Sequence, residues 1–492
     1  MAADLSSAWV WVPVALPLAA AGVAFVARRA GPAVGLFTSV ALCACAAGLG
    51  LEVWRGGPVR HAVGGWGAPL GIDLYADGLS AVVVAMVAGV GAGVAVHAWR
   101  YFPPGHERDF FWPLWLMLAC GLGAVAVVGD VFNLYVAFEV TSIAAVGLVA
   151  LGHGAVARVA AERYVLASLG GSLVYLLAVA LMYAEYGVLD MAELAARVRP
   201  SPATGLALAL AMAGLSVKAA LLPLHGWLPP AHASAPAPAS ALLSALVVKA
   251  ALYAQLRLGF TVFAGARTPA LDAALGTLGV GAIVWGSLLA LRQRRLKGVV
   301  AYSTVGQLGY PFLAFPLAGT AGAGAALSGA VYFLLAHACA KAALFLAAGN
   351  VQRALGHDRV EELRGASAAL PMTFLAFALA SLSLMGLPPS GGFVAKWLLL
   401  RGALEAEAWA LAVVIVGGGL LAAGYLLRVL SLAMAVPSGP PPAVARVPRT
   451  LEGVALALAL AAVALGLVSS APLALLEVGA PEPPGAPRRR GP

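Results

Sequence analysis

The sequence predicts an all-α polytopic membrane protein of about 14 transmembrane helices, with two inverted five-helix repeats and with helices 7 and 12 broken. Three observations carry that prediction. Of the 492 residues, 62% are hydrophobic and 10% charged, whereas a soluble domain carries roughly 25% charge. No water-soluble fold could hide this much apolar surface. Apolar runs of about 18–25 residues, the length that crosses a bilayer, recur along the chain. Two of those runs, about five spans apart, are interrupted by proline next to a lysine.

Taken in order, the runs fall near 8–27, 33–54, 78–99, 110–128, 130–153, 163–185, 203–224, 238–260, 270–291, 298–317, 322–349, 370–400, 408–432 and 451–473. They divide the chain into helices 1–3 (1–109), a first repeat of helices 4–8 (110–260), a second of helices 9–13 (270–432), and helix 14 with a tail (433–492). The first run stays as a membrane helix: Asp4 precedes it and Arg28-Arg29 follow it, the reverse of a cleavable signal. Residues 55–77 are Gly- and Trp-rich and fit a hairpin; 437–449 are Pro-rich and fit a loop. Asp73 and Asp77 are expected at the edge of the third span, and Asp130 as a helix cap. No long lateral helix is expected after the last span.

The net charge of +9 reflects topology and gives no sign of a nucleic-acid partner; its residues are scattered between apolar spans. Loops after odd-numbered spans hold fifteen Lys and Arg, among them Arg28, Arg29, Arg292, Arg294, Arg295 and Lys297, against six after even-numbered spans. The positive-inside rule then places the first set in the cytoplasm and both termini outside the cell membrane, against the vote of Arg488-Arg489-Arg490. Cys43, Cys45, Cys120 and Cys339 all lie in apolar runs and read as core filling, with no disulfide framework, metal site or cofactor expected. Gly89, Gly91 and Gly93 sit inside a span with no strand before them, so they read as helix packing and not as a nucleotide loop.

A charge at the bilayer centre costs roughly 2.5–3.5 kcal/mol. Glu139, Lys218, Lys249, Lys341 and Lys396 all fall inside runs. Glu139 in the fifth and Lys218 in the seventh lie at comparable depth, so an ion pair between them offsets much of that cost. A purely structural pair competes with a functional one. Lys249 stands about 11 residues into its run, too deep to snorkel at about 1.5 Å per residue. His337 and Lys341 share a helix face by their spacing of four, and a histidine above a buried lysine suits a proton relay. Ser303 and Gln307 share a face of the tenth span and could hold water. In the stretch Ser216–His232, Pro223, Pro229 and Pro230 are expected to break the helix just after Lys218, with His225 and His232 around the break. Lys396 mirrors Lys218, following Pro388-Pro389 and Gly391-Gly392.

These residues together resemble the antiporter-like subunits shared by multi-subunit Mrp-type sodium/proton antiporters, respiratory complex I and membrane-bound hydrogenases. The likeness rests on Phe138-Glu139, on Lys218 with Pro-Leu-His-Gly-Trp-Leu-Pro, on Ala-Pro-Ala-Pro-Ala-Ser before Lys249, on His337 with Lys341, and on Gly-Gly-Phe-Val-Ala-Lys396. It covers essentially the whole chain. The resemblance implies a 14-helix core and a proton path along a central polar axis. Glu139 and Lys218 would be the switchable pair, Lys249, His337 and Lys341 the central relay, and Lys396 the terminal site. Half-channels would enter near the broken helices. Pro230 stands where the family often has an acidic residue, and Lys396 where one complex I subunit has glutamate.

The expected function is therefore proton translocation as a D-type subunit of a cation/proton antiporter. It would work with other membrane subunits in the lipid bilayer, with protons as the moving ion and Na+ as a candidate within the complex. A proton-pumping subunit of a quinone reductase or hydrogenase is the alternative, and a stand-alone proton-coupled solute carrier the second. The chain shows no redox cofactor motif, so it is not expected to be a catalyst on its own.

Overall fold

The computed structural model describes residues 8–69, 71–436 and 445–480. Most of the expected Pro-rich loop, Asp4 and Arg488–Arg490 lie outside them. The apolar runs form α1 (Ala8–Val26), α2 (Gly31–Gly56), α3 (Gly78–Tyr101), α4 (His106–Val127), α5 (Val131–Ala150) and α6 (Gly154–Tyr186). A short α7 (Met191–Arg197) leads to α8 (Pro202–Lys218), α9 (Leu228–Ser234) and α10 (Ala237–Val262). Then follow α11 (Pro269–Leu291), α12 (Leu296–Phe312), α13 (Ala323–Leu355), α14 (Pro371–Met385), α15 (Gly391–Glu405), α16 (Trp409–Met434) and α17 (Arg449–Leu467). Eleven helices among the described residues are long and apolar enough to cross a membrane; a figure near fourteen requires counting shorter helices, Pro202–Lys218 and Pro371–Met385 among them.

Burial locates the centre. The most apolar stretch of α10 is 100% buried and that of α13 94%, against 33% for α1. The two central helices carry Lys249 and the His337/Lys341 pair. A lysine on either has no lipid or water face to snorkel to. The expected hairpin is present: β1 (Val59–Ala62) pairs antiparallel with β2 (Asp73–Ala76), Val59 opposite Ala76 and Ala62 opposite Asp73. It marks one end of the bundle, here the hairpin face. Asp130 caps α5, its Oδ1 accepting the Asn133 N–H at 2.6 Å, and Asp77 caps α3 in the same way from Ser80 at 2.9 Å.

Four differences from expectation bear on the site. The seventh run stops at Lys218 and not near 224, because Ala220 turns to a φ of 53°. Lys218 is thus the last residue of its half-helix, not an interior one. Pro229 and Pro230 do not break a helix; they open α9, where a missing N–H leaves no bond unmade. The sixth helix begins at Gly154, nine residues before the expected 163, because Ala155–Arg163 is rich in alanine and arginine. The tenth span ends at Phe312, short of 317.

Both lysine-bearing breaks leave the helix in the same way. After α8 the Leu221 N–H reaches back to Ser216 O at 3.0 Å; after α14 the Leu387 N–H reaches Leu382 O at 3.1 Å. The residue before each has positive φ, Ala220 at 53° and Gly386 at 80°. In the first break Trp227 stacks on Tyr164 with ring centroids 4.2 Å apart and donates its indole N–H to Val217 O at 2.8 Å. Val217 O, which also accepts the Ala220 N–H at 3.1 Å, thus keeps two donors at the break, as membrane burial favours.

Candidate functional site

The site begins where α6 and α8 approach closely. A Cβ on Gly171 would lie 2.8 Å from Gly214 O, so only small residues permit this contact. The approach brings α6 serines to the end of α8. Lys218 Nζ stands 3.5 Å from Glu139 Oε1 and donates to Ser142 Oγ and Ser168 Oγ, each at 3.0 Å. An ammonium has three protons, and these three partners take them. Ser168 Oγ donates to Ser142 Oγ at 2.7 Å, and Ser172 Oγ donates to Glu139 Oε1. The Phe138 ring centroid lies 5.5 Å from Nζ. A cavity of about 10 Å³ beside Lys218 extends to Val247 on α10, a volume that admits about one water.

The second centre is on α10. Its turn Leu243–Val247 is π-helical, a local widening common at functional sites. Lys249 is fully buried and donates to Ser244 O in that turn. Ser244 Oγ meets Thr304 Oγ1 of α12 at 2.9 Å, and Thr304 Oγ1 donates to Val300 O at 3.1 Å. Lys341 Nζ donates to the same Val300 O at 3.0 Å and to Ser303 Oγ. Hydroxyls and one carbonyl therefore join the helices of Lys249 and Lys341 without any carboxylate.

His337 lies one turn before Lys341 on α13, buried, with its ring tilted on Phe333 at 4.8 Å between centroids. It is within electrostatic reach of Lys249, Lys341 and Lys396. Neither of its ring nitrogens has a hydrogen-bond partner among the described residues. Lys396 closes the series. Its Nζ donates to Leu384 O at 2.7 Å, a carbonyl at the end of the first half-helix, and sits 4.3 Å from the Tyr310 ring centroid. Gly386 is needed here twice over, for its positive φ and because a Cβ would lie 2.7 Å from Lys396 Cδ.

The remaining expected residues divide. Ser303 is a direct partner of Lys341 and not merely a water holder. Gln307 Nε2 donates to Tyr425 Oη at 3.4 Å. His232 is fully buried, edge-on to Phe345, and within electrostatic reach of Lys249, Lys341 and Lys297. His225 lies in the connection after α8 and makes no ion pair or side-chain hydrogen bond with the lysine series among the described residues. Lys297, which by sequence falls among loop charges, is 4% exposed and donates to Ala235 O, three residues beyond His232. Sequence reasoning misses Ser142, Ser168, Ser172, Ser244 and Thr304. The only hint is their polarity, with Ser168 and Ser172 one turn apart and Ser142 three residues after Glu139.

Ser168→Ala is expected to remove one of three Lys218 acceptors, at a cost of about 1.5–3 kcal/mol for a bond to a charged group. The melting temperature of the purified protein should fall by several degrees, and Ser142→Ala should behave alike.

Residues 128–422, which hold every residue of this series, match the family model described as NADH:quinone oxidoreductase/Mrp antiporter, transmembrane. The chain belongs to that family. Among relatives of the family, NADH-quinone oxidoreductase subunit N of Desulforudis audaxviator is 40% identical over 406 residues, 80% of each chain. The D-type subunit of the Na(+)/H(+) antiporter of Alkalihalophilus pseudofirmus is 30% identical over 385 residues, 77% of each. Among solved structures, a chain of the Mrp complex from a Dietzia species superposes with a TM-score of 0.88 at 26% identity, covering 97% of this chain and 98% of that one. A chain of the archaeal membrane-bound sulfane sulfur reductase gives 0.86 at 28% identity, covering 96% of each. This family member is a multi-pass, helical membrane protein of antiporter-like architecture.

Proposed function

We propose that this chain is the proton-translocating membrane subunit of a multi-subunit, Mrp-type cation/proton antiporter, close in role to the D-type subunits of that family. Protons would move along Glu139, Lys218, Lys249, His337, Lys341 and Lys396. One observation carries the reading: a buried series of four lysines in which, among the described residues, only Lys218 has a carboxylate partner, the others resting on carbonyls and hydroxyls. A structural role would favour neutralised charges; a relay needs sites whose charge can come and go. Unit charges interact by on the order of 4 kcal/mol at 4 Å and an effective dielectric near 20. The cavity beside Lys218 reaches Val247, two residues before Lys249, so water there would carry a change at the Glu139–Lys218 pair toward Lys249. The bridge from Ser244 through Thr304 to Val300 O ties the helices of Lys249 and Lys341, and the two lysines and His337, within electrostatic reach of one another, would pass that change on.

The matching exits after Lys218 and before Lys396 support two inverted repeats, 110–260 and 270–432, with the half-channels at the breaks. His225 and His232 then flank the first. The positive-inside count supports a plasma-membrane protein with both termini outside. Partner subunits follow from the relatives, which are parts of larger complexes. A second reading, a pump subunit of a redox complex of the quinone reductase or hydrogenase type, is favoured by the 40% identity to an NADH-quinone oxidoreductase subunit N. Affinity purification of the tagged chain from its native membrane separates them. Co-purifying small antiporter subunits sustain the first reading, and hydrogenase or quinone-reductase subunits sustain the second.

A further inference from the structure

Lys249, Tyr253 and Arg257 recur at every fourth residue in the α-helical part of α10, so they line one face. At about 1.5 Å per residue, Arg257 lies about 12 Å from Lys249 toward the hairpin face. The guanidinium is buried and closely held. Its Nη1 and Nη2 clamp Asp77, Nη2 to Oδ1 at 2.7 Å; Nη2 also donates to Ser80 Oγ at 2.9 Å and to Tyr253 Oη at 3.0 Å. Tyr253 Oη in turn donates to Ala126 O at 2.8 Å. Two cavities, of about 170 and about 100 Å³, meet at this pair, and both are lined by Asp77, Arg257 and Thr261. The larger reaches Arg60 and Tyr75 on the hairpin. Both volumes admit water.

We propose that the Asp77–Arg257 clamp is a seal that closes the hairpin-face end of α10 to protons, so that Lys249 exchanges protons only along the lysine axis. The inference rests on Lys249 carrying protons. Three features make the clamp a barrier. Arginine has five donors and no acceptor, and keeps its proton in proteins, so no proton can hop through it. Asp77 cannot relay a proton either, since its carboxylate oxygens are taken by the two guanidinium N–H groups and the Ser80 N–H. Tyr253, the one hydroxyl between Arg257 and Lys249 on this face, gives its proton to Ala126 O and its lone pairs to Arg257. A tie between α3 and α10 alone would not need charge, since well-packed apolar residues replace buried ion pairs without loss.

The test is passive proton leak in proteoliposomes holding the whole complex, under a potassium diffusion potential and without the driving reaction, read by an entrapped pH dye. Asp77→Asn with Arg257→Gln keeps hydrogen bonding and removes both charges. Leak should rise about tenfold over wild type, a barrier change of about 1.4 kcal/mol. Adding Lys249→Met should return it to the wild-type level. Unchanged leak in the assembled double variant overturns the seal, and leak that survives Lys249→Met overturns its link to Lys249. Driven flux of Lys249→Met alone judges the relay reading separately. Should the double variant not assemble, hydroxyl-radical footprinting of the wild-type complex decides. Oxidation at Tyr75 and Met191, which line the larger cavity, with none at Leu252, buried beyond Arg257 and one turn from Lys249, supports the seal; oxidation running on to Leu252 overturns it.

Discussion

Lys249→Met is expected to abolish driven proton flux while leaving the fold intact. The side chain is fully buried, so methionine fills nearly the same volume, and Ser244 O in the π turn loses a donor at a cost of about 1–3 kcal/mol. What disappears is the one group on α10 that the proposed relay uses to hold a proton. A proton crossing that gap meets a desolvation penalty of several kcal/mol, which slows transfer by about a hundredfold or more. Proton flux into proteoliposomes containing the assembled complex measures it, with thermal melting as the control for folding. Normal flux in a folded Lys249→Met complex removes this residue from the path.

Lys396→Met should be as severe and should differ in kind. Lys396 bonds the carbonyl of Leu384 at the helix break and lies on the Tyr310 ring. As the proposed terminal site it would govern release, so its loss should stop steady flux while a single uptake of protons by the earlier groups survives. A rapid-mixing record of dye response after energisation would show a burst without a following slope. The absence of both burst and slope would place Lys396 before the other lysines and not at the end.

The apolar spans, the hairpin and the two breaks are legible because each follows from local rules: span length, glycine and proline placement, and a charge at the wrong depth. The Glu139–Lys218 pair is legible for a different reason. Glu139 is the carboxylate that lies deep in a span, so the buried lysine at its depth has one candidate partner. The hydroxyls around Lys218 and between Lys249 and Lys341 are not legible. Serine and threonine are also used simply for close helix packing, and which of them face a lysine depends on the register between α5, α6, α8, α10 and α12. The end of α8 at Lys218 is hidden because Ala219–Leu222 is apolar; nothing in alanine announces the positive φ of Ala220. Lys297 resembles a loop charge because it lies next to Arg292, Arg294 and Arg295, whereas α12 turns it inward to Ala235 O. Arg257 sits near the end of an apolar run, where snorkelling is the usual outcome, and its partner Asp77 is remote in sequence.

The central claim is that protons pass through this chain by way of the Glu139–Lys218 switch. Driven proton flux in proteoliposomes of the assembled complex, compared between wild type, Glu139→Ala and Lys218→Ala, tests it most directly. The account predicts that each variant loses flux by about tenfold or more, with the double variant no worse than the singles because the two residues act as one unit. Wild-type flux in both single variants, in complexes that assemble normally, would contradict it.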